Sequence, residues 1–323
     1  MFPDTRLRRL RKNLNIRTLV QENQVDLNDL IQPLFICEGT AVRNSISSMP
    51  GQFQLSIDLA CKEVSELSEA GIKTILLFGI PEAKDETGAC ACQTDGIIQK
   101  AIKAIKSSTP DMIIITDLCF CEYTSHGHCG VLNEAAIDND QSLELLAKQA
   151  VSHAQAGADI IAPSGMLDGT VISIREALDQ AGFPELPILG YSAKFASAFY
   201  GPFREAAECA PQFGDRRSYQ MNPANLMEAL REVELDVLEG VDMVMVKPGL
   251  PYLDVVRMVK DKFQLPTGAY HVSGEYAMIK AAAQNGWINE EQVVKESLLC
   301  FKRAGADFII TYFAKDYATK YSR

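Results

Sequence analysis

The chain has 323 residues, 47% of them hydrophobic and 23% charged, with a formal net charge of −11 at pH 7. That is an ordinary globular composition with ample material for a large core. The acidity argues against a nucleic-acid-binding protein, which would carry a basic face, and no apolar run approaches the length of a membrane span.

The first residues, Met1-Phe2-Pro3-Asp4, lead into a basic stretch with Arg6, Arg8, Arg9, Arg11 and Lys12. This stretch lacks the apolar centre of a secretory signal. With no export signal, nine cysteines imply a reducing compartment, the cytoplasm, where clustered thiols bind metals or do chemistry more often than they form bridges. Residues 1–24 are expected to form an arm outside the main fold, packed on a neighbouring subunit or left as a solvated tail.

From there a junction recurs. Ala70-Gly71-Ile72-Lys73, Ala156-Gly157-Ala158-Asp159, Glu239-Gly240-Val241-Asp242 and Ala304-Gly305-Ala306-Asp307 each close an amphipathic stretch and open a short apolar run. Glycine there suits a left-handed helix cap, and an apolar run without alternation suits a strand covered on both faces. Eight such strands are predicted: Ile31–Ile36, Thr74–Phe78, Met112–Thr116, Asp159–Pro163, Pro187–Tyr191, Met243–Val246, Thr267–Val272 and Phe308–Tyr312. Helical patterns fill the intervals at Ser56–Ala70, Asp95–Ser107, Ser142–Gln155, Gly169–Ala181, Pro223–Leu238, Tyr252–Phe263, Tyr276–Gln284 with Glu290–Arg303, and Ala314–Tyr321. Eight β/α units predict an α/β protein with a single (β/α)8 barrel, a TIM barrel spanning residues 25–323 and carrying an extended N-terminal arm. An open doubly wound sheet is the alternative, but no G-x-G-x-x-G follows an early strand.

In such a barrel the chemistry sits at the C-terminal strand ends. The third strand runs into Thr116-Asp-Leu-Cys-Phe-Cys-Glu-Tyr-Thr-Ser-His-Gly-His-Cys-Gly130, which holds Cys119, Cys121 and Cys129. Three thiolates at a strand end suit zinc in a site with an open position; buried thiols or a disulfide are the alternatives. The fourth strand delivers Ser164, the seventh Ser273 and the eighth Tyr312. Lys194 follows the fifth strand and Lys247 the sixth, where a charge is costly to bury. Desolvation and a second ammonium nearby would lower a lysine pKa, and a neutral amine is what forms a Schiff base with a carbonyl. The alternative is a pair of lysines snorkelling to the rim.

A long segment after Lys194 carries Arg204 and Arg216-Arg217 and reads as a lid. Its arginines could grip a carboxylate or pair with Glu205 and Asp215. Cys90 and Cys92 lie in a loop without a histidine and read as non-catalytic, and Cys37, Cys61, Cys209 and Cys300 as structural.

Asp117–Gly130, Lys194-Phe-Ala-Ser-Ala-Phe-Tyr-Gly-Pro-Phe-Arg204, Met245-Val-Lys-Pro248 and Val272-Ser-Gly-Glu-Tyr-Ala-Met278 together resemble the porphobilinogen synthase (5-aminolevulinate dehydratase) family. The resemblance implies a hydro-lyase of tetrapyrrole and heme synthesis that condenses two molecules of 5-aminolevulinate with loss of two waters. It implies Schiff bases on Lys194 and Lys247, and catalytic zinc on Cys119, Cys121 and Cys129. It assigns one substrate carboxylate to Arg204 and Arg216 and the other to Ser273 and Tyr312. It further implies an allosteric magnesium at Glu232 and a homo-octamer whose arms embrace neighbouring barrels. His126 and His128 are not expected on the catalytic metal. A second zinc found in some members uses a cysteine where this chain has Ser218.

Overall fold

A computed structural model of the chain describes residues 4–321. Eight parallel strands form the barrel: β1 (Leu30–Cys37), β2 (Thr74–Ile80), β3 (Ile113–Leu118), β4 (Ile160–Pro163), β5 (Leu189–Lys194), β6 (Met243–Lys247), β7 (Thr267–His271) and β8 (Phe308–Thr311). Apart from β4 and β5, consecutive strands pair with one another, and β1 pairs with β8. Between β4 and β5 the ring is completed by a parallel bridge, Ile161 to Ile188. The strands read as unbroken apolar runs because helices cover them outside and side chains fill them inside; Ile75, Leu76 and Leu77 are all fully buried. Among the described residues, no helix is long and apolar enough to cross a membrane.

The four junction glycines adopt left-handed backbone, with φ between 96° and 108°. Three of the junctions end in an aspartate whose function is visible only in the fold. Asp159 Oδ2 accepts from Ile114 N at 2.7 Å, Asp242 Oδ2 from Ile188 N at 2.7 Å, and Asp307 Oδ2 from Thr267 N at 2.7 Å. In return each aspartate N–H donates to the carbonyl of the residue it caps. These reciprocal pairs satisfy an amide at or beside the start of the preceding strand, at the N-terminal rim.

Helices follow the expected intervals, among them Ile57–Glu69, Ile97–Ser108, Asn139–Ala156, Thr170–Gln180, Leu226–Leu238, Leu253–Phe263, Ser273–Gln284 and Glu290–Ala304. Strand ends differ by at most three residues from the expected bounds, and the largest shift matters: β5 continues through Lys194, so this lysine is a strand residue and not a loop residue. The expected final helix is a short turn, Ala314–Asp316, followed by a π turn, Tyr317–Tyr321. An unexpected excursion after β1 pairs Arg43–Ser45 with Phe53–Ser56 and lays the latter beside the end of β1. It braces the strand-end face: Gln54 Nε2 donates to Ala206 O at 3.0 Å and Gln52 Nε2 to Tyr312 O at 3.1 Å.

Before the barrel, Leu7–Arg11 and Leu14–Leu19 form short helical turns with no buried residue. Met1, Phe2 and Pro3 of the expected arm lie outside the described residues.

Candidate active site

The sequence Cys-Phe-Cys lies where β3 leaves the barrel. The chain turns sharply there, with Tyr123 N and Thr124 N both donating to Phe120 O. Thr124 Oγ1 then holds His128 O at 3.0 Å, which folds the loop back on itself. The return brings Cys129 to the first two cysteines: the three sulfurs lie within 4.8 Å of one another, and Cys119 Sγ is 3.3 Å from Cys121 Sγ. All three are buried. Crowded thiols without a cation keep their protons; hydrogen bonds with Cys121 and Cys129, then burial, push the Cys119 thiol well up. A divalent cation would reverse that balance by stabilising the thiolates. The donor set therefore fits a borderline-soft ion with one open coordination position.

The two histidines of this loop are committed elsewhere. His126 Nε2 lies 3.0 Å from Glu86 O, while His128 places Nδ1 3.1 Å from the Tyr219 hydroxyl and Nε2 3.1 Å from Phe213 O. Neither joins the sulfur group.

Lys194 and Lys247 are directly paired in register on β5 and β6, so both side chains leave the same face of adjacent strands. Both are 5% exposed. Lys194 Nζ donates to Ser164 O at 2.5 Å, and Ser164 Oγ donates to Asp117 Oδ2 at 3.0 Å. Lys247 Nζ stands among aromatic rings, 4.3 Å from the centroid of Tyr270, 5.0 Å from Tyr191, 5.2 Å from Phe203 and 5.4 Å from Tyr200. Burial and the neighbouring Lys194 charge pull Lys247 down to about 7, against the pull of Asp117. Asp117 is pushed the other way, to about 7, by burial and the Glu122 charge. At neutral pH the Lys247 site thus supplies a substantial share of neutral amine, the form that attacks a ketone.

Tyr312 reaches the same pocket through Tyr270, their hydroxyls 3.2 Å apart. Ser273 faces the lid: its Oγ accepts from Phe203 N at 3.0 Å and donates to Phe199 O at 3.3 Å.

The lid, residues 195–225, is tied down by the strands it covers. Phe195 N donates to Lys247 O at 2.9 Å and Met221 N to Lys194 O at 3.2 Å. Its short helix Gly201–Ala206 lays Phe203 over Lys247 and against Phe78. Outside this cover lies a cavity of about 600 Å³ whose wall includes Ser197, Arg204, Arg216, Arg217 and Gln220. Neither lysine is on that wall; Lys194 precedes the lining residue Ala196 by two positions, with Phe195 between them. Arg204 does not pair with Glu205, one of the two readings its sequence left open; Glu205 accepts from Ser47 instead. Arg216 is buried and spends Nη2 on Gly127 O at 2.8 Å and Cys209 O at 2.6 Å, whereas Arg217 forms an exposed pair with Asp215 at 3.7 Å.

Glu232 stands apart from these groups. It lines a separate cavity of about 500 Å³ with Asp168 and Glu228, and burial followed by the charges of those two residues raises its carboxyl pKa.

Two features escaped the sequence. One is the aromatic box around Lys247, contributed by three elements far apart in the chain. The other is Cys209, which has no motif of its own yet lies with its sulfur within 4.8 Å of Cys121 Sγ and a Glu122 oxygen. Only the folded lid brings it there.

A family model described as delta-aminolevulinic acid dehydratase matches residues 4–320. Delta-aminolevulinic acid dehydratases from Synechocystis sp. and Archaeoglobus fulgidus are 56% and 54% identical over 322 and 319 residues. Those matches span 98% and 99% of this chain and 98% of each relative. The Bacillus subtilis protein of that name is 55% identical over 313 residues, 97% of both chains. A crystal structure of the Toxoplasma gondii enzyme, delta-aminolevulinic acid dehydratase (porphobilinogen synthase) with its reaction product porphobilinogen, superposes with a TM-score of 0.95 at 48% identity. That match covers 97% of this chain and 90% of the other.

Proposed function

The chain belongs to the delta-aminolevulinic acid dehydratase family, and from that premise we propose how its own residues carry out the reaction. The activity is that of a hydro-lyase condensing two molecules of 5-aminolevulinate to porphobilinogen. In the mechanism proposed, Lys247 and Lys194 each attack the ketone of one substrate, releasing one water per imine. Carbon–carbon and carbon–nitrogen bonds then form between the two held substrates, and both lysines leave as amines, so the net loss is two waters. The observation that carries this reading is the in-register lysine pair, buried at adjacent strand ends.

The remaining residues take positions around that pair. Arg204 and Arg216 are proposed to grip the carboxylate of the second substrate from the lid, and Ser273 and Tyr312 that of the first. Arg216 could exchange its two carbonyl contacts for a carboxylate as the lid opens and closes. Cys119, Cys121 and Cys129 would hold a zinc ion, whose Lewis acidity serves the second substrate. The aromatic box excludes water from Lys247 and favours the neutral amine.

A magnesium site at Glu232 is proposed on the acidity of its surroundings; as a hard cation, magnesium prefers oxygen ligands. A homo-octamer is proposed with the N-terminal arm as the embracing element, because Leu7, Leu10, Leu14 and Leu19 are between 53% and 84% exposed. Nine cysteines, all unpaired, support a cytoplasmic location.

The deciding experiment is borohydride reduction in the presence of 5-aminolevulinate, followed by peptide mass spectrometry. Adducts on Lys247 and Lys194 are expected; labelling of neither would end the covalent reading. Chelation that leaves activity intact would remove zinc from the mechanism.

A further inference from the structure

The three-cysteine site has a neighbour. Cys121 Sγ, Cys209 Sγ and a Glu122 carboxylate oxygen lie within 4.8 Å of one another, and all three residues are at least 97% buried. Cys121 thus belongs to two donor sets, one with Cys119 and Cys129, the other with Glu122 and Cys209. Neither oxygen of the buried Glu122 has a hydrogen-bond partner. A carboxylate left unpaired in the interior is costly, and a cation is one of the few groups that offsets the cost.

The protein builds this second set deliberately enough to fix it from both sides. Cys209 N donates to Arg204 O at 3.1 Å, and Cys209 O receives Arg216 Nη2 at 2.6 Å. The cysteine loop comes so close that a side chain at Gly127, where φ is +70°, would put its Cβ 2.5 Å from Ala210 O. Two ligands therefore come from the β3 loop and the third from the lid.

We propose that Cys121, Glu122 and Cys209 form a second subsite for a borderline or soft divalent cation, joined to the three-cysteine site through the shared Cys121 sulfur. Two thiolates and a carboxylate suit zinc or cadmium, and a thiolate can bridge two such ions. A cation here clamps the lid to the β3 loop, because Cys209 lies between lid residues Arg204 and Arg216. The inference rests on the three cysteines binding a metal as proposed above, and its test separates the two sites.

The experiment is a titration of the full-length, metal-depleted protein with Cd²⁺ alone, read by the ultraviolet charge-transfer absorbance of cadmium thiolates. The absorbance is expected to rise through about two equivalents per chain, since each site supplies thiolate ligands. Cys209→Ser is expected to bind the second equivalent at least tenfold more weakly, with reduced absorbance. Glu122→Gln, which preserves volume, is expected to weaken that second equivalent by a similar factor. Cys129→Ser should instead lose the first equivalent and keep the second. A second equivalent unchanged in Cys209→Ser or in Glu122→Gln overturns the proposal. A single equivalent that depends on Cys129 and not on Cys209 also overturns it and leaves the three-cysteine site standing; one that depends on Cys209 and not on Cys129 sinks the three-cysteine site instead.

Discussion

Lys247 concentrates the physical argument at the scale of single residues. Its ammonium would be surrounded by rings whose faces attract a cation, yet burial and Lys194 outweigh that attraction and bring it from an ordinary 10.5 to about 7. The sign of the effect on stability follows. Below about pH 7 both folded and unfolded chains hold this proton, and the cost of the buried charge is fully present. Between about 7 and 10.5 only the unfolded chain holds it, so this residue's cost falls as pH rises. Lys247→Met is therefore expected to raise Tm relative to the parent at pH 7, with the gap narrowing towards pH 10; a gap that widens with pH would contradict the assignment. Catalytically, Lys247→Ala should cut kcat by on the order of 10⁴-fold or more, the scale on which removing a covalent group acts. Zinc content by mass spectrometry should be unchanged, and its loss would make the lysine structural. Arg204→Ala should lower kcat/KM about 10- to 100-fold through a charged hydrogen bond worth about 1.5–3 kcal/mol.

At the level of elements, the two barrel rims do different work. The aspartate pairs at Asp159, Asp242 and Asp307 sit at the N-terminal rim, remote from the site, and each satisfies an amide at or beside the start of the preceding strand. Asp242→Ala is expected to cost about 1.5–3 kcal/mol, seen as a lower midpoint in urea, with kcat unchanged. The C-terminal rim is held by Glu275. Its carboxylate accepts from Leu250 N at 2.7 Å and Val272 N at 2.5 Å, joining the loop after Lys247 to the strand end before Ser273. Glu275→Ala would leave two amides unpaired at that joint, so both stability and kcat should fall, by about 2–4 kcal/mol for the former. A variant with full kcat would show that the joint does not position Lys247.

For the whole molecule, the arm and the lid are the parts whose surfaces the barrel does not determine. The arm exposes four leucines with no partner helix beneath them. Removing residues 1–24 is expected to leave the circular dichroism of the barrel intact while the native mass drops below that of the full chain's assembly, proposed above to be an octamer. An unchanged native mass would exclude the arm from assembly. The lid lays Phe203 over Lys247, and the arginine-lined cavity has neither lysine on its wall.

The sequence by itself determined the barrel and which lysines, serines and cysteines lie at its strand ends. Local causes suffice there: the glycine junctions end helices, the apolar runs must be covered on both faces, and a lysine directly after such a run has nowhere cheap to go. It also isolated Cys119, Cys121 and Cys129, which fall within eleven residues and so are brought together by one loop. The tertiary structure decided what depends on distant segments meeting. Lys194 is a strand residue opposite Lys247 because pairing with β6 extends β5. Tyr191, Tyr200, Phe203 and Tyr270 form one box because two strands and the lid converge, and no local periodicity encodes that convergence. Cys209, read in isolation as structural, lies beside Cys121 and the unpaired Glu122 because the lid folds across more than eighty residues of sequence separation. Patterns of residue type specify which surfaces must be buried, whereas the position of a long irregular segment depends on the summed contacts of the whole strand-end face.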